Sequence, residues 1–587
     1  MKFKILIFYL LFMQNIFIIS HSEIIEKVKV EGEQLSENLI SKSMIIIDEE
    51  KIAKFGMTEI ADIFRFIPGV SVNRRGHSSV SYDLTMRGSN FEQILLLVNG
   101  VPVNNGQTGH FNTDLPFSLE DVKRVEVTRG GNPVSHGIGG FAGTINIVLK
   151  KRSGVSFNIL SGERSLSRIG FGIGKKLKKV DLGISAARIN SEGYYPGQEF
   201  DNFNLRTNIS FSINNIILGM ETGYIKKKFG AKDFYAPYPS IENNSSGSFQ
   251  LNVRKNGKIS FQLIYSHIFH RDNFILDRYN IPFFNSKSDT LQNYISLKSE
   301  YTFNDIVFSG GTDVEKKSVD SNAMGIHSQT RGGFFLSTGL RKSKWGADLG
   351  IRLDSGVKRN TFLTYYAGLY RKFSNYSILR INHGNSLRYP NFTELFYNSP
   401  ANTGDPDLFV EKSSNTEISF LLPVKSVFIE FSAFMRKQNN MIDWIKEPHE
   451  KTWKVVNIDR NNIDGFELRG GCNFIHTSVF ASLERLFSYG SDKNFISKYG
   501  FRFPDSTIKF NLNQKIKKNL GLIMNFSYKR VFETKEKVYL ADIIINMKLK
   551  YFDISLHADN LLNSVIEEIP GVKIPGRWLW ISINFKK

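Results

Sequence analysis

Side chains that could carry out chemistry are sparse in this sequence, and they do not form a recognisable catalytic set. A hydrolase needs a nucleophile or carboxylates oriented by partner groups, yet neither a Gly-x-Ser-x-Gly elbow nor a His-Glu-x-x-His motif occurs. Cys472 is the only cysteine, which rules out an intramolecular disulfide and a multi-cysteine metal site. Asp405 and Asp407 stand two apart, but no calcium-loop consensus surrounds them. We therefore expect no enzyme activity, no metal site and no cofactor.

The first residues have the pattern of an export signal. Lys2 and Lys4 precede a largely apolar run from Ile5 to Ile19, which ends in Ser20-His21-Ser22. A charged start, an apolar centre and small residues at the exit are typical of a secretory signal, so we predict a signal peptide at residues 1–22. No later segment has the roughly 18 consecutive apolar residues that a membrane helix needs, which excludes an α-helical transporter.

The formal net charge of +20 raises the question of a nucleic-acid partner. The lysines are scattered along the chain and do not form one stripe, so we expect no nucleic-acid binding. A lysine-rich composition and loops that face an anionic outer leaflet explain the charge more simply.

The residues that follow the signal, up to about position 151, have the pattern of a small mixed domain. We expect Thr58 to cap a short helix from Glu59 to Phe64, which must stop before Pro68-Gly69 because a proline disfavours helix in the residue before it. Strand-like runs follow from Ile94 to Val98 and from Val122 to Val127. About 130 residues are enough for one compact unit.

From about Val155 onward the hydrophobic pattern alternates with period two. One such apolar series is Val427, Ile429, Phe431, Ala433 and Met435, and the residues between them include the polar Glu430 and Ser432. One face then suits lipid and the other a polar interior. Strands that cross a bilayer must close into a barrel, and roughly 10 residues per crossing predict strands numbering in the low twenties. A soluble all-β protein is the alternative.

Short motifs follow one another through both parts of the chain. The N-terminal part contains Thr85-Met86-Arg87-Gly88, Leu95-Leu96-Leu97-Val98-Asn99-Gly100, Leu119-Glu120-Asp121-Val122 and Gly139-Gly140-Phe141-Ala142-Gly143. The later part contains Leu387-Arg388-Tyr389-Pro390-Asn391-Phe392, Gly404-Asp405-Pro406-Asp407-Leu408 and Asp559-Asn560-Leu561-Leu562-Asn563. This ordered series resembles the TonB-dependent receptors of Gram-negative bacteria.

The resemblance implies a gated transporter in the bacterial outer membrane. The expected fold is an all-β membrane barrel of 22 antiparallel transmembrane strands (152–587), occluded by an N-terminal α+β plug domain (36–151). So wide a barrel would leak unless it were filled. The implied partners are the TonB energy-coupling protein with its inner-membrane complex, a small-molecule nutrient and outer-membrane lipid, and the receptor is expected to be a monomer. A passive porin is the rival, but a porin needs no separate plug.

Two plug arginines match family positions that bind barrel glutamates. The resemblance pairs Arg87 and Arg129 with Glu417 and Glu467, and a buried carboxylate favours bidentate arginine. The alternative is that either arginine faces water in the lumen.

The TonB-binding segment is expected at residues 23–35. Its alternating core suits the addition of a strand to a partner's sheet and consists of Ile25, Glu26, Lys27, Val28, Lys29 and Val30.

Ligand contacts are expected in two glycine-containing plug segments, where the family points its apical loops at the ligand. Their hydrogen-bonding groups and imidazoles suit a large polar ligand, and the candidate residues are Arg75, His77, Ser78, Asn104, Asn105, Gln107, His110 and Phe111. For any one of them a solvated loop without contact is the alternative.

Resemblance to the cobalamin-receptor-like branch makes cobalamin (vitamin B12) the first candidate ligand. This resemblance rests on the barrel stretches Phe229-Gly230-Ala231-Lys232-Asp233 and Ile442-Asp443-Trp444-Ile445. A ferric siderophore is the main alternative. Haem is weaker, because haem iron is usually held by a histidine and none lies between Pro390 and Gly404.

Overall fold

The computed structural model describes residues 40–131, 134–356, 360–399, 401–490, 495–569 and 571–586. The expected signal peptide (1–22) and TonB-binding segment (23–35) lie outside the described residues. No helix in the described ranges is long and apolar enough to cross a membrane.

The N-terminal domain is built on a five-stranded sheet. In spatial order the sheet strands are Met44–Asp48, Val122–Arg129, Gly143–Leu149, Ile94–Val98 and Val101–Pro102. Every neighbouring pair is antiparallel except Ile94–Val98 with Gly143–Leu149. A separate hairpin pairs Val70–Arg74 with Tyr82–Met86. The short helices are Glu49–Lys54, Ile60–Phe66, Phe91–Gln93, Gly109–Phe111, Leu119–Asp121 and Val134–His136.

The helix Ile60–Phe66 begins one residue later than a Thr58 cap would place it. Glu59 is the N-cap, and its backbone N–H donates to the Asp62 carboxylate at 3.0 Å. Thr58 donates to the same carboxylate through its backbone N–H at 3.0 Å, so it supports the helix without capping it. The helix ends before Pro68 as predicted, because Ile67 already has an extended backbone.

From residue 154 onward, the described residues form a closed antiparallel barrel of 22 strands, which confirms the predicted fold class. The barrel strands are Gly154–Gly162, Ser167–Lys176, Val180–Ser191, Phe200–Ile213, Ile216–Gly230, Ile241–Lys255, Ile259–Ile275, Asn285–Phe303, Ile306–Ser321, Gly325–Arg341, Trp345–Ser355, Thr361–Lys372, Ile378–Arg388, Glu411–Val424, Val427–Lys446, Trp453–Asn473, Thr477–Tyr489, Pro504–Lys517, Leu520–Val531, Lys537–Lys548, Phe552–Asp559 and Trp578–Lys586. The last strand pairs with the first, with Phe585 opposite Phe157, so neither is left as an open edge.

The loops at one rim of the barrel contain short helices and strand pieces. They are the helices Ile281–Phe283 and Phe392–Phe396 and the strand pieces Asn398–Ser399, Asn402–Thr403, Ile496–Ser497, Glu567–Ile569 and Val572–Lys573. The connections at that rim are 3 to 22 residues long, whereas the opposite rim has only turns of 2 to 5 residues. Both ends of the barrel strand series lie at the short-turn rim.

Alternation of side chains separates a lipid face from a polar lumen. On the strand Val427–Lys446 the side chains of Val427, Ile429, Phe431 and Met435 are 37 to 51% exposed. Their neighbours Glu430, Ser432, Phe434 and Arg436 are only 1 to 6% exposed because they face the plug. The period-two pattern therefore predicts the faces of this strand correctly.

Candidate functional site

The junction between plug and barrel contains a buried cluster of charges. Arg87 donates from Nε and Nη2 to the two carboxylate oxygens of Glu467, at 2.7 and 2.9 Å. Its Nη1 donates to Glu417 at 2.5 Å. All three side chains are at most 4% exposed. One plug guanidinium therefore bridges two carboxylates of the barrel wall, with the bidentate geometry that favours arginine over lysine.

Arg129 adds a second cation to the same cluster. It pairs with Glu467 through Nη1, and its Nη2 donates to the Ser43 hydroxyl at 3.0 Å. Ser43 in turn donates to Glu430 at 2.6 Å. Two arginines thus face Glu417 and Glu467, so these four charges offset one another, as a buried ion cluster requires. We call Arg87, Arg129, Glu417 and Glu467 the lock.

The local backbone of the plug places Arg87 at the barrel wall. Arg87 follows the strand Tyr82–Met86 and adopts a left-handed conformation with φ of 49°, and its N–H donates to Gly69 O at 2.9 Å. Gly69 also has a positive φ, of 77°, and a Cβ built on it would lie 2.5 Å from Glu467 Oε1. Only glycine therefore allows this loop to approach the carboxylate.

The two glutamates lie on the two barrel strands that flank the strand Val427–Lys446. Glu417 lies directly opposite Phe434, and Phe434 lies opposite Gly465, two residues before Glu467. The guanidinium of Arg87 sits 4.0 Å from the centre of the Phe434 ring, a cation–π contact that also excludes water. Gly465 leaves room for this ring, since a Cβ there would lie 2.6 Å from it.

The neighbouring glutamates hold Arg87 in its charged form. Burial alone would lower the pKa of Arg87, but Glu417 and Glu467 outweigh burial and raise it above its usual value. Burial lowers the pKa of nearby Lys42 to about 7, although Glu417 opposes this shift. Lys42 Nζ donates to the carbonyl oxygens of Gly130 and Gly131, beside Arg129.

The sequence did not predict the segment 40–43 as part of this junction. Ser41 N–H donates to Asp348 at 3.0 Å, its hydroxyl lies 3.0 Å from Tyr366 OH, and Arg380 Nε donates to Ile40 O at 3.0 Å. These partners are more than 300 positions away, so no local pattern identifies them. The one sequence signal for this junction was the alternation of apolar and polar residues, which places Glu430 on the polar face of its strand.

The predicted ligand residues Arg75 and His110 are buried together within the plug apex. Arg75 Nη2 pairs with Asp83 at 2.7 Å, and His110 Nδ1 lies 2.9 Å from the other Asp83 oxygen. The His110 ring stacks on Phe91 at 4.2 Å and its Nε2 lies 3.4 Å from Tyr499 OH of a barrel loop. Burial lowers the pKa of His110, against the effect of Asp83. Both side chains therefore belong to the contact between the plug and the barrel.

His77 lies apart from that group. Its ring stacks on Phe200 at 5.0 Å and meets Trp578 edge-on at 5.3 Å, and burial lowers its pKa to about 4. Ser78 beside it is partly exposed.

In the second predicted ligand segment, the two asparagine side chains form hydrogen bonds to nearby backbone groups of the plug. Asn104 accepts from Leu96 N–H at 2.9 Å and donates to Ile94 O at 2.8 Å, and Asn105 accepts from Gln107 N–H at 2.7 Å. Gln107 also reaches the barrel by donating to Asp272 at 3.3 Å. Phe111 stacks on the barrel side chain His270 at 4.4 Å. The eight candidates therefore do not converge on one open site, and their role as ligand contacts stays a prediction.

Metal ligands do not cluster in the described ranges, where no group of three or more His, Cys, Asp or Glu side chains could hold an ion.

Comparison with known protein families matches both parts of the chain. Residues 37–144 match the TonB-dependent receptor plug domain, and residues 156–561 match the TonB-dependent receptor-like β-barrel. The chain belongs to the TonB-dependent receptors. These are transport receptors of the Gram-negative outer membrane, so the receptor is an outer-membrane protein whose short-turn rim faces the periplasm.

Among curated proteins, the receptor is similar to vitamin B12 transporters BtuB. It is 22% identical to that of Vibrio vulnificus (strain CMCP6) over 481 residues, which is 77% of this chain and 76% of the relative. It is also 22% identical to that of Vibrio cholerae serotype O1 (strain O395) over 451 residues, covering 72% of this chain and 71% of the relative.

Among solved structures, the fold is similar to iron and siderophore receptors. The siderophore receptor PirA of Acinetobacter baumannii superposes with a TM-score of 0.77 at 15% identity, over 93% of this chain and 98% of that one. The FrpB iron transporter of Neisseria meningitidis (F3-3 variant) gives 0.78 at 12% identity, over 93% and 100%. At these identities the likeness concerns the fold alone.

Proposed function

We propose that this receptor imports cobalamin across the outer membrane by TonB-coupled movement of the plug. The curated relatives that span about three quarters of the chain are named vitamin B12 transporters. The barrel stretches that resemble the cobalamin-receptor-like branch, including Ile442-Asp443-Trp444-Ile445, support the same ligand.

The buried lock is the observation that carries the mechanism. A plug held by charge-assisted hydrogen bonds is stable while the cluster stays dry, because each charge keeps its partner. Any displacement of the plug separates charges that are already desolvated, so opening needs energy from outside the protein. A TonB protein that pulls on residues 23–35 supplies that energy, and the junction re-forms when the pull ends.

The plug apex is the proposed ligand-responsive part of the gate. Arg75, His110, Gln107 and Phe111 each contact a barrel side chain or a group that does. A ligand that binds above them and competes for any of these contacts loosens the apex from the barrel. Asn104 and Asn105 hold the turn that presents Gln107.

Equilibrium binding to the purified, detergent-solubilised receptor tests the choice of ligand. Cyanocobalamin, haem and a panel of ferric siderophores are titrated separately, and tight binding of cyanocobalamin alone supports the proposal. Tight binding of a ferric siderophore with no cyanocobalamin binding rejects cobalamin while the gating mechanism stands.

Variants then test the plug apex. His110→Asn and Gln107→Ala are expected to weaken cyanocobalamin binding, and Lys151→Gln, at the other end of the plug, is the matched control. Unchanged affinity in both apex variants rejects the apex as the binding surface.

A further inference from the structure

The positive charge of the receptor is concentrated at the periplasmic rim. We define the basic collar as the exposed basic residues of the ten short turns and of the two residues on either side of each turn. Its members are Lys175, Lys176, Lys178, Lys179, Lys255, Lys258, Lys342, Lys344, Arg371, Lys425, Lys517, Lys518, Lys548 and Lys550. The acidic residues of the same segments are Asp181, Asp305 and Asp553.

The opposite rim has no such surplus. Acidic side chains outnumber basic ones in the described part of the extracellular connections. The longest of these, residues 389–410, contains Glu394, Asp405 and Asp407 but neither lysine nor arginine. The expectation that loops facing the outer leaflet carry the positive charge is therefore wrong for this receptor. The charge lies on the periplasmic side instead.

The collar is interleaved with apolar side chains that point outward. Leu177, Phe373, Leu549 and Tyr551 stand among its cations and are 43 to 57% exposed. Lys550 Nζ lies 5.1 Å from the centre of the Tyr551 ring. Aromatic and aliphatic residues at this level form the belt of a membrane barrel, and long cationic side chains reach from such a belt to the lipid headgroups.

We propose that the basic collar binds the anionic headgroups of phospholipids in the periplasmic leaflet, so that acidic lipid gathers around the base of the receptor. Clustered lysines beside a membrane attract anionic lipid by the local surface potential. A lipid partner fits better than a docking protein, because the basic turns recur from residues 177–179 to 549–551, around the barrel circumference. The proposal depends on the outer-membrane location and not on which nutrient is imported.

Native mass spectrometry of the detergent-purified receptor tests the collar. Phosphatidylglycerol or phosphatidylethanolamine of matched acyl chains is added, and the retained lipid is counted. We expect the receptor to retain phosphatidylglycerol with an affinity about tenfold or more above that for phosphatidylethanolamine. A variant with Lys175, Lys176, Lys178 and Lys179 changed to Gln removes four of the fourteen collar cations and should lose a measurable part of that preference.

The matched control changes four exposed lysines of the extracellular rim, Lys232, Lys451, Lys535 and Lys573, to Gln and should keep the preference. Raised salt should abolish the preference of the unmodified receptor, which tests the idea even if the collar variant fails to fold. Equal retention of both lipids by the unmodified receptor overturns the proposal. An equal loss in the two four-site variants also overturns it, because the site would then not be the collar.

Discussion

Arg87 of the plug and Glu467 of the barrel are 380 positions apart in sequence, yet their side chains meet through two parallel hydrogen bonds of 2.7 and 2.9 Å. Both side chains are almost completely buried. Glu467 also pairs with Arg129, and Arg87 with Glu417. Plug retention should therefore depend strongly on these few charges.

Replacing Glu467 with Gln should loosen the plug. The change leaves two buried arginines with one fewer carboxylate, and breaking a buried pair of this kind costs about 3–5 kcal/mol. Ion conductance of the receptor in planar bilayers, measured at increasing urea, should rise at lower urea than in the unmodified receptor. The matched control is Asp201→Asn, which breaks an exposed pair with Arg188 and should not shift the curve. If the two variants behaved alike, the lock would have no special role.

Replacing Gly69 with Ala should weaken the same junction by a steric route. The new Cβ would lie 2.5 Å from Glu467 Oε1, so the carboxylate must move away from Arg87. Gly571→Ala is a control with a comparable positive φ and open space around the Cβ, and it carries only the backbone strain, about 1–2 kcal/mol. The urea midpoint for the rise in conductance should fall further for Gly69→Ala. Equal midpoints would contradict the close approach.

Plug stability should fall as the medium is acidified, in part through His77. Burial lowers its pKa in the folded plug to about 4, an effect that Arg74 reinforces and Asp62 opposes, against 6.5 for an unperturbed histidine. Between pH 6.5 and pH 4 the unfolded plug therefore binds a proton that the folded plug does not, and stability is lost as the pH falls through this interval. His77→Phe keeps a ring against Phe200 and removes this titration. The urea midpoint should drop less on acidification in that variant, and an identical drop would exclude His77 as a contributor.

Replacing Val28 with Pro should abolish uptake while surface binding persists. A proline removes a backbone donor that an added strand needs. Val28→Ala keeps the donor and should retain uptake, because pairing through the main chain tolerates a change of side chain. Uptake by cells and ligand binding to the same cells are measured side by side. Normal uptake in the proline variant would show that the TonB-binding segment lies elsewhere in the chain.

Much of the architecture was predictable because it follows from local patterns. The alternation around Phe431 gives the lipid and lumen faces of its strand, and a wide barrel needs a plug. The motif around Arg87 identified the plug, and its family context paired Arg87 and Arg129 with Glu417 and Glu467, which the structure brings into contact.

Other features were not predictable because they depend on distant surroundings. His77 sits in a glycine-containing loop that reads as solvent-exposed, yet Phe200 and Trp578 of the barrel enclose its ring. Ser43 has no motif of its own, and its link between Arg129 and Glu430 exists only once the barrel has closed. The rim that holds the basic collar emerges only when the turns are assigned to one end of the barrel.

Uptake of radiolabelled cyanocobalamin tests the central claim most directly. The receptor is expressed in Gram-negative cells that lack their own cobalamin receptor, with and without a functional TonB protein compatible with the receptor. We predict accumulation above the receptor-free background only when TonB is functional, with surface binding in both strains. Equal accumulation in the two strains would contradict energy coupling, and no binding in either strain would contradict cobalamin as the ligand.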